Sequence, residues 1–321
     1  EGGLLNGQID RSSTPTAAHP AHRGSICLEE GRVLGQHAFQ GEQYVLRIEA
    51  PRCAARAQPG SFVHLTVDDD IPMRRPLSIM RADAREGWID ILYKAVGPGL
   101  AALSRRRTGD RLSVLGPIGI GFVPHPQRPR PLLIGGGVGI PPMVFLAEAL
   151  AMQASPFDPD PGKDIGTAWR PLVLMGSEIP FPFEARPSTI LVPGMPDGVI
   201  AAMPLLEQLG VPSRLASRAG FPGCFDGFVT GLGEAWLGSL DRGALEQIEI
   251  FACGPTPMLA ATARLAARFG LPCQVSLEEF MACAVGGCAG CTVPVRTPTG
   301  PAMKRVCVDG PVFDAYTVFD T

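Results

Sequence analysis

Four cysteines near the carboxyl end constrain this chain more than any other feature. Cys283, Cys288 and Cys291 lie in the run CAVGGCAGC, and Cys307 follows in KRVCVDG, which gives the pattern C-x4-C-x2-C-x15-C. Four thiolates are the ligands of a [2Fe–2S] cluster, and three close cysteines with a distant fourth form the plant-type ferredoxin spacing. The glycines of the run permit left-handed backbone and a close approach to the inorganic core. The sequence therefore predicts that these four cysteines bind a [2Fe–2S] cluster.

Two other interpretations of these thiols stay open. A structural zinc site usually has two C-x2-C pairs or combines cysteine with histidine. This chain has one C-x2-C pair, and its last histidine is His125, far from the cysteines. Thiols without any ligand, packed as small core residues, are the second alternative. We expect the other five of the nine cysteines to be of that kind.

The composition excludes several classes of function. The chain has 321 residues, of which 45% are hydrophobic and 18% are charged, and its net charge is -3. This length suggests two domains with a small third one. The absence of a basic run argues against nucleic-acid binding. No apolar run approaches the roughly 18 residues that cross a bilayer, and no signal pattern is recognisable. We therefore expect a cytoplasmic protein that binds neither nucleic acid nor membrane.

The first part of the chain has the pattern of an all-β domain. Residues 1–26 are rich in Gly, Ser, Thr, Ala and Pro, and we expect a flexible tail there. In the range 27–128, short segments rich in Val, Ile, Leu and aromatic residues alternate with turn residues, which is typical of a sandwich or barrel. The predicted strands lie at 44–51, 61–67, 76–80, 87–96 and 110–116, with one short helix at 102–107.

From residue 129 the pattern changes to strands that alternate with helices. Such alternation predicts a doubly wound parallel sheet over the range 129–272. The predicted strands lie at 131–137, 171–176, 188–192, 213–217 and 249–253, and the predicted helices at 138–154, 204–210 and 256–270. The last range, 273–321, is too short to bury much apolar surface by itself, so we expect a small module organised by its cofactor.

Two glycine-containing loops follow predicted strands of this sheet. GGGVGIPPM supplies Gly135, Gly136, Gly137 and Gly139, and FACGPTPM supplies Gly254 and Pro255. Both loops would lie at the carboxyl ends of parallel strands, where open α/β sheets bind dinucleotides and a pyrophosphate can approach the following helix. The first loop does not have the usual G-x-G-x-x-G register, so each loop alone is only moderate support.

A third motif, RRPLSI at 74–79, lies on a predicted strand of the first domain. An arginine there could bind a pyrophosphate, and a serine hydroxyl could reach a flavin ring. The motif alone is weak, because an arginine on a strand is usually just exposed. Two neighbouring segments strengthen the interpretation of this motif as a flavin site. ILYKAVGPGL at 91–100 ends in a glycine-rich turn, and GPIGIGF at 116–122 is a glycine-rich loop.

Taken in order, RPLS, GGGVGIPPM, CGPTPM, EEFMACAVGGCAGC and KRVCVDGPVF resemble the electron-transfer subunit family of class 1B dihydroorotate dehydrogenase. That family belongs to the ferredoxin-NADP reductase-like flavoproteins, and the resemblance covers about 27–321. It implies a six-stranded antiparallel FAD-binding barrel, an NAD(P)-binding domain and a cluster module. It further implies FAD, a [2Fe–2S] cluster and NAD(P)(H) as cofactors. The implied partner is an FMN-containing catalytic subunit of pyrimidine biosynthesis, in a heterotetramer with two of each chain.

The resemblance also assigns roles to individual residues. The implied FAD contacts are Arg75, Pro76, Leu77, Ser78, Leu92, Tyr93, Lys94, Gly99 and Leu100. Cys253 stands where the family places a residue near the nicotinamide, although a core cysteine is an equal alternative. Two positions depart from the family: Leu100 replaces a common threonine, and Ile120 replaces a common asparagine. We expect Leu100 to contact FAD through its backbone alone.

Ser217 and Arg218 are a further departure. In the family two acidic residues often end this strand, and they suit the free ribose hydroxyls of NAD. In the wider reductase group, a Ser-Arg pair near this place holds the 2′-phosphate of NADP. The resemblance therefore implies that NADPH is used at least as well as NADH, unless Arg218 is merely a solvated loop residue.

Two alternative functions remain open from the sequence. The chain could be the reductase subunit of a hydrogenase or a monooxygenase that has the same cofactors. It could also be a non-enzymatic module that has lost its flavin, since Leu100 and Ile120 each remove a common polar contact.

Overall fold

The computed structural model describes residues 24–68, 70–152 and 169–321. The predicted tail at 1–26 and the Pro/Asp/Gly-rich loop after the first long helix therefore lie mostly outside the described residues. Within those three ranges, no helix is both long and apolar enough to cross a membrane.

The first part of the chain is a closed antiparallel barrel, which confirms the predicted architecture. Its six strands are β1 Cys27–Phe39, β2 Gln43–Glu49, β3 Phe62–Leu65, β4 Arg75–Asp83, β5 Trp88–Lys94 and β6 Arg111–Ile118. They follow one another around the barrel as β1-β2-β5-β4-β3-β6. The inward-facing aliphatic residues form one core, since side chains alternate between the two faces of each strand. Helices α1 Pro51–Ala54 and α2 Gly97–Leu103 lie between strands.

Two features of the barrel differ from the sequence prediction. The sequence CLEEGRVLGQHAF of β1 was not recognised as a strand, because its charged residues and glycines hide the alternation. Its pairing with β6 nevertheless closes the barrel. The helix predicted at 102–107 lies earlier, at Gly97–Leu103, and ends before the run of arginines. Pro98 in its first turn suits the start of a helix, because the missing N–H would have had no intrahelical partner.

The second part is a six-stranded sheet with helices on both faces. Its strands are β7 Leu132–Gly136, β8 Leu172–Gly176, β11 Ser213–Ala216, β12 Ile250–Cys253, β13 Cys273–Ser276 and β16 Val312–Asp314. Their order is β11-β8-β7-β12-β13-β16, and all neighbours are parallel except β13 and β16. The associated helices are α3 Ile140–Ala151, α4 Pro204–Gln208, α5 Val229–Gly238, α6 Arg242–Leu245 and α7 Thr256–Phe269. The chain order reverses between β7 and β12.

Both faces of this sheet are buried, which explains why its strands β7, β8 and β12 are continuous apolar runs. Leu132 and Ile134 of β7 pack with α5 and α7 on one face. Leu133, between them in sequence, packs with α3 on the other face. Parallel strands that are covered on both sides need apolar residues at every position. The prediction of a doubly wound sheet is confirmed.

The prediction of a strand at 188–192 is wrong. This segment forms no strand; a two-stranded ribbon of β9 Arg186–Pro187 and β10 Ala201–Ala202 lies beside it. The hydroxyl of Ser188 donates to the Glu207 carboxylate at 2.9 Å, and the Thr189 hydroxyl does so at 2.8 Å. The β-branched residues STILV favour a strand, but side-chain hydrogen bonds to Glu207 hold the segment as a loop. Helices α5 and α6 were not predicted.

The C-terminal segment is joined to the sheet. A hairpin of β14 Thr292–Thr297 and β15 Gly300–Arg305 is followed by the short helices α8 Val306–Asp309 and α9 Ala315–Val318. Strand β16, between those helices, pairs with β13 and so adds an edge strand. Cys291 and Cys307 are buried in the same core as β12 and α7. The cluster segment is thus held by the core of the nucleotide domain.

A buried histidine lies between the barrel and this C-terminal segment. His64 on β3 is 0% exposed, and neither ring nitrogen completes a hydrogen bond of normal geometry. Its polar neighbours are the main-chain groups of Met281 and Arg74. Burial is the main cause that lowers the pKa of His64, and the charges of Arg74 and Arg75 lower it further.

We expect this histidine to make the protein less stable in acid. Because the folded pKa lies below the unfolded value near 6.5, the unfolded chain binds the proton more readily as pH falls through about 6.5. The melting temperature should therefore fall between about pH 7 and about pH 5. In His64→Phe this fall should be smaller, whereas the exposed control His37→Phe should behave like the unaltered protein. An unchanged pH profile in His64→Phe would contradict the assignment.

Candidate functional site

A cavity of about 540 Å³ opens where the barrel, the sheet and the C-terminal segment meet. Its barrel side consists of β4, β5 and α2, and the antiparallel pairing of β4 with β5 brings two distant motifs together. Eight of the nine predicted FAD contacts line it: Arg75, Pro76, Leu77, Ser78, Leu92, Tyr93, Lys94 and Leu100. Gly99, the ninth, lies directly beneath Arg75.

Most of the remaining cavity lining lies opposite the barrel strands and was not predicted. Phe62 and Val96 belong to the barrel side, and the other lining residues are Val138, Ser276, Leu277, Glu278, Glu279, Phe280, Met281 and Pro311. Six of these form the continuous segment SLEEFM, which runs into the first cluster cysteine. A signal was available in the sequence, because two adjacent glutamates within an apolar stretch beside a cofactor motif are unusual for a core segment.

Arg75 is the main positive charge of this cavity. Its Nη1 donates to the main-chain oxygens of Met73 at 2.6 Å and Arg74 at 3.3 Å. A Cβ atom at Gly99 would lie 2.5 Å from its Nη2. Glycine is therefore required at position 99 if the guanidinium is to keep its place. Within the described ranges no carboxylate pairs with Arg75, so its charge is available to an anion.

Tyr93 is a rigid part of the cavity wall. It is 1% exposed, its hydroxyl donates to Gln36 Oε1 at 2.8 Å, and its ring stacks on Tyr44 with centroids 5.5 Å apart. Burial raises the pKa of Tyr93, so the phenol stays neutral. The neighbouring wall is apolar at Leu92 and Leu100. This wall suits one face of a planar aromatic ring system.

The predicted nucleotide loops lie side by side at the carboxyl edge of the sheet. Gly135 on β7 is the register partner of Cys253 on β12. A Cβ atom at Gly139 would lie 2.3 Å from the main-chain oxygen of Cys253, so the two loops are in direct backbone contact. Gly137 has φ +54°, a left-handed value that glycine adopts without strain. The remaining predicted residues, Gly136, Gly254 and Pro255, lie on the same two loops.

Cys253 lies behind the cavity rather than in its wall. It is fully buried, and its Sγ is 4.0 Å from Glu278 Oε1. Burial raises the pKa of the Cys253 thiol, and the nearby Glu278 charge raises it further. Desolvation also raises the pKa of Glu278, whose carboxyl lines the cavity. The structure brings together a thiol and a carboxyl that the sequence separates by 25 positions.

Ser217 and Arg218 lie at the same edge of the sheet but away from the cavity. Ser217 is buried, and its hydroxyl accepts a hydrogen bond from the Ala219 N–H at 3.1 Å. Arg218 forms an ion pair with Glu178, 3.2 Å from Nε to Oε2. The sequence interpretation treated Arg218 as a free cation, and it missed this carboxylate.

The four predicted cluster cysteines occur as two pairs. The Cys288 N–H points at the Cys283 sulfur, 3.4 Å away. Partial burial raises the pKa of Cys283, but the N–H groups of Val285, Cys288 and Gly287 outweigh it and lower the value to about 7. Cys307 lies against Cys291, and burial together with that neighbour raises its pKa to about 12. Cys288 is exposed, whereas Cys291 and Cys307 are buried.

This arrangement provides the ligand set of a two-iron cluster. A [2Fe–2S] cluster needs two ligands for each of its two irons. The pairs Cys283 with Cys288 and Cys291 with Cys307 meet that requirement. The inward N–H groups around Cys283 also suit thiolate sulfur, because they stabilise negative charge.

Known structures share this fold. The NADH-dependent reduced ferredoxin-NADP oxidoreductase studied for flavin-based electron bifurcation matches with a TM-score of 0.67 at 23% identity, and the match covers 90% of this chain and 89% of the other. Phthalate dioxygenase reductase matches with a TM-score of 0.51 at 12% identity, covering 87% and 76%. At such identities these likenesses establish the ferredoxin reductase-like fold alone.

Sequence relatives are more specific. Residues 278–319 match the model of the iron-sulfur cluster binding domain of dihydroorotate dehydrogenase B. The dihydroorotate dehydrogenase B (NAD(+)) electron transfer subunit of Geobacillus thermodenitrificans is 33% identical over 295 residues, which cover 90% of this chain and 98% of the relative. The corresponding subunit of Shouchella clausii is 32% identical over 293 residues, covering 89% and 96%. The resemblance found in the motifs is thereby confirmed, and the chain belongs to the family of dihydroorotate dehydrogenase B electron-transfer subunits.

Proposed function

We propose that this protein transfers electrons between NAD(P)(H), FAD and a [2Fe–2S] cluster, and to or from an FMN-containing dihydroorotate dehydrogenase subunit. One observation carries the proposal. The same cavity is lined by the RPLS strand of the barrel and by Met281, two residues before the cluster cysteine Cys283. A flavin held by that strand would therefore lie next to the cluster ligands. Family membership favours this function over a hydrogenase or monooxygenase reductase.

The cavity residues suit FAD in shape and charge. Arg75, without a carboxylate partner in the described ranges, would neutralise the pyrophosphate. The apolar wall at Leu92 and Tyr93 would contact the ring system, and Ser78 would supply a hydroxyl to it. Leu100 lines the cavity with an aliphatic side chain, so its polar contact would come from its backbone. The hydroxyl of the threonine that is common in the family is missing at position 100, but the other contacts of this site remain.

Cys283, Cys288, Cys291 and Cys307 would hold the cluster. When bound, the flavin and the cluster together supply the change from two-electron hydride exchange to single-electron transfer. The protein contributes position and environment. The N–H groups around Cys283 stabilise negative charge on sulfur, and buried Cys291 and Cys307 exclude water from one side.

The nucleotide would bind along the carboxyl edge of the sheet. Gly135, Gly136, Gly137 and Gly139 let a pyrophosphate approach the backbone, and Gly254 and Pro255 form the adjacent loop. The nicotinamide end would then reach the cavity near Glu278. Glu278 lines the cavity at this end and would orient the ring through its carboxyl group. Cys253, 4.0 Å from Glu278, would position that carboxyl rather than contact substrate.

The partner would dock on the cluster side of the protein. Cys288 is exposed, so the cluster would come closest to the surface there. Phe280, in the same loop, is 94% exposed, and a large apolar side chain so exposed suits a protein interface. We propose a heterotetramer with two copies of each subunit. We also propose that the complex is cytoplasmic, because clustered cysteines that bind a metal rather than form disulfides are typical of that compartment.

We further propose three functional units: a FAD-binding barrel at 27–128, an NAD(P)-binding domain at 129–272 and a cluster module at 273–321. Strands β13 and β16 both extend the sheet of the second unit. The third unit is therefore anchored to the second through backbone pairing, which fixes the cluster segment relative to that sheet.

Co-expression with the FMN-containing subunit tests the function. We expect the purified complex to contain FAD and FMN. Its iron and acid-labile sulfide should amount to one [2Fe–2S] cluster for each copy of this chain. It should couple dihydroorotate oxidation to nicotinamide reduction, whereas this chain alone should oxidise NAD(P)H only with artificial acceptors. Absence of flavin from the purified chain would exclude the proposal, and so would a complex that shows no such coupling.

A further inference from the structure

Glu178 and Arg218 lie where two adjacent strands of the parallel sheet end. β8 ends at Gly176 and β11 ends at Ala216, and these two residues are register partners. Arg218 Nε donates to Glu178 Oε2 at 3.2 Å. The side chains are 55% and 50% exposed, so the pair lies at the carboxyl edge of the sheet in contact with solvent. A bound ligand at this edge would meet both charges.

A neighbouring aromatic ring holds the arginine in place. The guanidinium carbon of Arg218 lies 4.2 Å from the centroid of Phe228, and Phe228 is itself 58% exposed. One face of the guanidinium thus contacts the Phe228 ring, and its Nε is bound to Glu178. Its two terminal nitrogens donate to no acceptor among the residues that the structure describes. These nitrogens are hydrogen-bond donors in a fixed position, but Glu178 already compensates the positive charge of Arg218.

Sheet topology points the adenosine half of the nucleotide to this pair. The glycine loop follows β7, and β8 and β11 lie on one side of that strand. The cavity with Glu278 lies on the other side, beyond β12. A dinucleotide with its pyrophosphate at the glycine loop and its nicotinamide in the cavity would place its adenosine ribose over β8 and β11. In such sheets an acid there binds the 2′-hydroxyl of NAD, and an arginine accommodates the 2′-phosphate of NADP.

We propose that Glu178 determines the nucleotide specificity of this protein and favours NADH over NADPH. The inference rests on the proposed function and deepens it. A carboxylate accepts hydrogen bonds from ribose hydroxyls, which are neutral donors. A 2′-phosphate at the same place carries up to two negative charges, and it would have to compete with Glu178 for Arg218. This proposal departs from the expectation of NADPH use, because Arg218 already pairs with a carboxylate 40 positions away in the chain.

Removal of one carboxylate charge tests the proposal. We expect Glu178→Gln to raise the ratio of kcat/KM for NADPH to that for NADH about tenfold, the size of one exposed charge contact. The readout is reduction of an artificial acceptor by the FAD-containing protein. In Glu178→Gln combined with Arg218→Ala, the gain should disappear, because the phosphate has lost its cation. The matched control is Glu246→Gln, which removes the same charge from an exposed ion pair with Arg242 on α6.

A direct binding measurement separates this inference from the proposed function. Calorimetry with ADP-ribose and with 2′-phospho-ADP-ribose requires no electron transfer. We expect Glu178→Gln to improve the affinity for the phosphorylated ligand about tenfold relative to the other ligand. If the shift occurs in a protein that reduces its flavin with neither nucleotide, the specificity assignment stands and the electron-transfer function fails. If the kcat/KM ratio and the affinity ratio of Glu178→Gln both stay within about twofold of the values for the unaltered protein, Glu178 does not determine specificity.

Discussion

Cys288→Ser is expected to abolish electron transfer to the dihydroorotate-oxidising subunit while sparing NAD(P)H oxidation with an acceptor that takes electrons from flavin. Cys288 is one of the four thiols that would hold the cluster, and its N–H group points at the Cys283 sulfur. Serine keeps the shape of the side chain but replaces a thiolate by a poor iron ligand. Nothing in the flavin cavity depends on the Cys288 side chain, because it is not part of the lining.

The expected loss of partner transfer is at least about 100-fold, since even residues outside the ligand set change metal affinity by up to that factor. Iron and sulfide content measure the cluster, and dihydroorotate-dependent nicotinamide reduction measures transfer. Cys224→Ser is the matched control, because Cys224 is a free thiol that packs beside the core of the α3 face. It should change neither quantity. If a variant without iron still transfers electrons to its partner, the cluster does not carry them.

Arg75→Gln is expected to weaken FAD binding roughly tenfold to a hundredfold, the value of a lost hydrogen bond to a charged group. Arg75 lines the cavity, and in the described ranges it pairs with no carboxylate, so glutamine removes the charge that an anion would meet. Titration of the flavin-free protein with FAD, followed by flavin fluorescence, measures the change. The matched control is Arg105→Gln, an exposed arginine that donates to the Ala101 oxygen and lies outside the cavity lining.

Gly99→Ala tests the same contact without removing the charge. The new methyl group would lie within 2.5 Å of the Arg75 guanidinium, which would have to move. We expect this variant to bind FAD less tightly than the unaltered protein and to melt at nearly the same temperature when flavin-free, since the clash is with the end of a flexible side chain. Equal FAD affinity in both variants and in the unaltered protein would show that Arg75 does not contact the cofactor.

The motifs were sufficient to identify the family because the relevant residues are close in sequence. The cluster spacing involves residues 283–307, and a loop must present its ligands locally if it is to wrap a small inorganic core. The glycine loop after β7 is equally local, because it joins one strand to the next helix. Apolar runs also indicated a sheet covered on both faces. By contrast, the sequence pattern does not predict β1. This segment is a strand because it pairs with β6, whereas its composition does not favour a strand.

The remaining part of the site depends on contacts between distant segments. Glu278 reaches Cys253 because β13 lies beside β12, and the order of strands in a sheet is not encoded in a local pattern. The strand predicted at 188–192 failed for a similar reason, since Glu207 captures its hydroxyl groups.

The sequence by itself determined the fold class and the family, and it predicts the cofactor ligands, since each depends on short motifs in a fixed order. Tertiary structure alone decided how those parts act together. It placed SLEEFM, the segment that leads to Cys283, opposite the RPLS strand in one cavity. It also paired Arg218 with Glu178, a carboxylate that no local pattern around Arg218 indicates. The physical reason is that the charge available to a ligand depends on every group within a few ångströms, and chain folding rather than sequence order selects those groups.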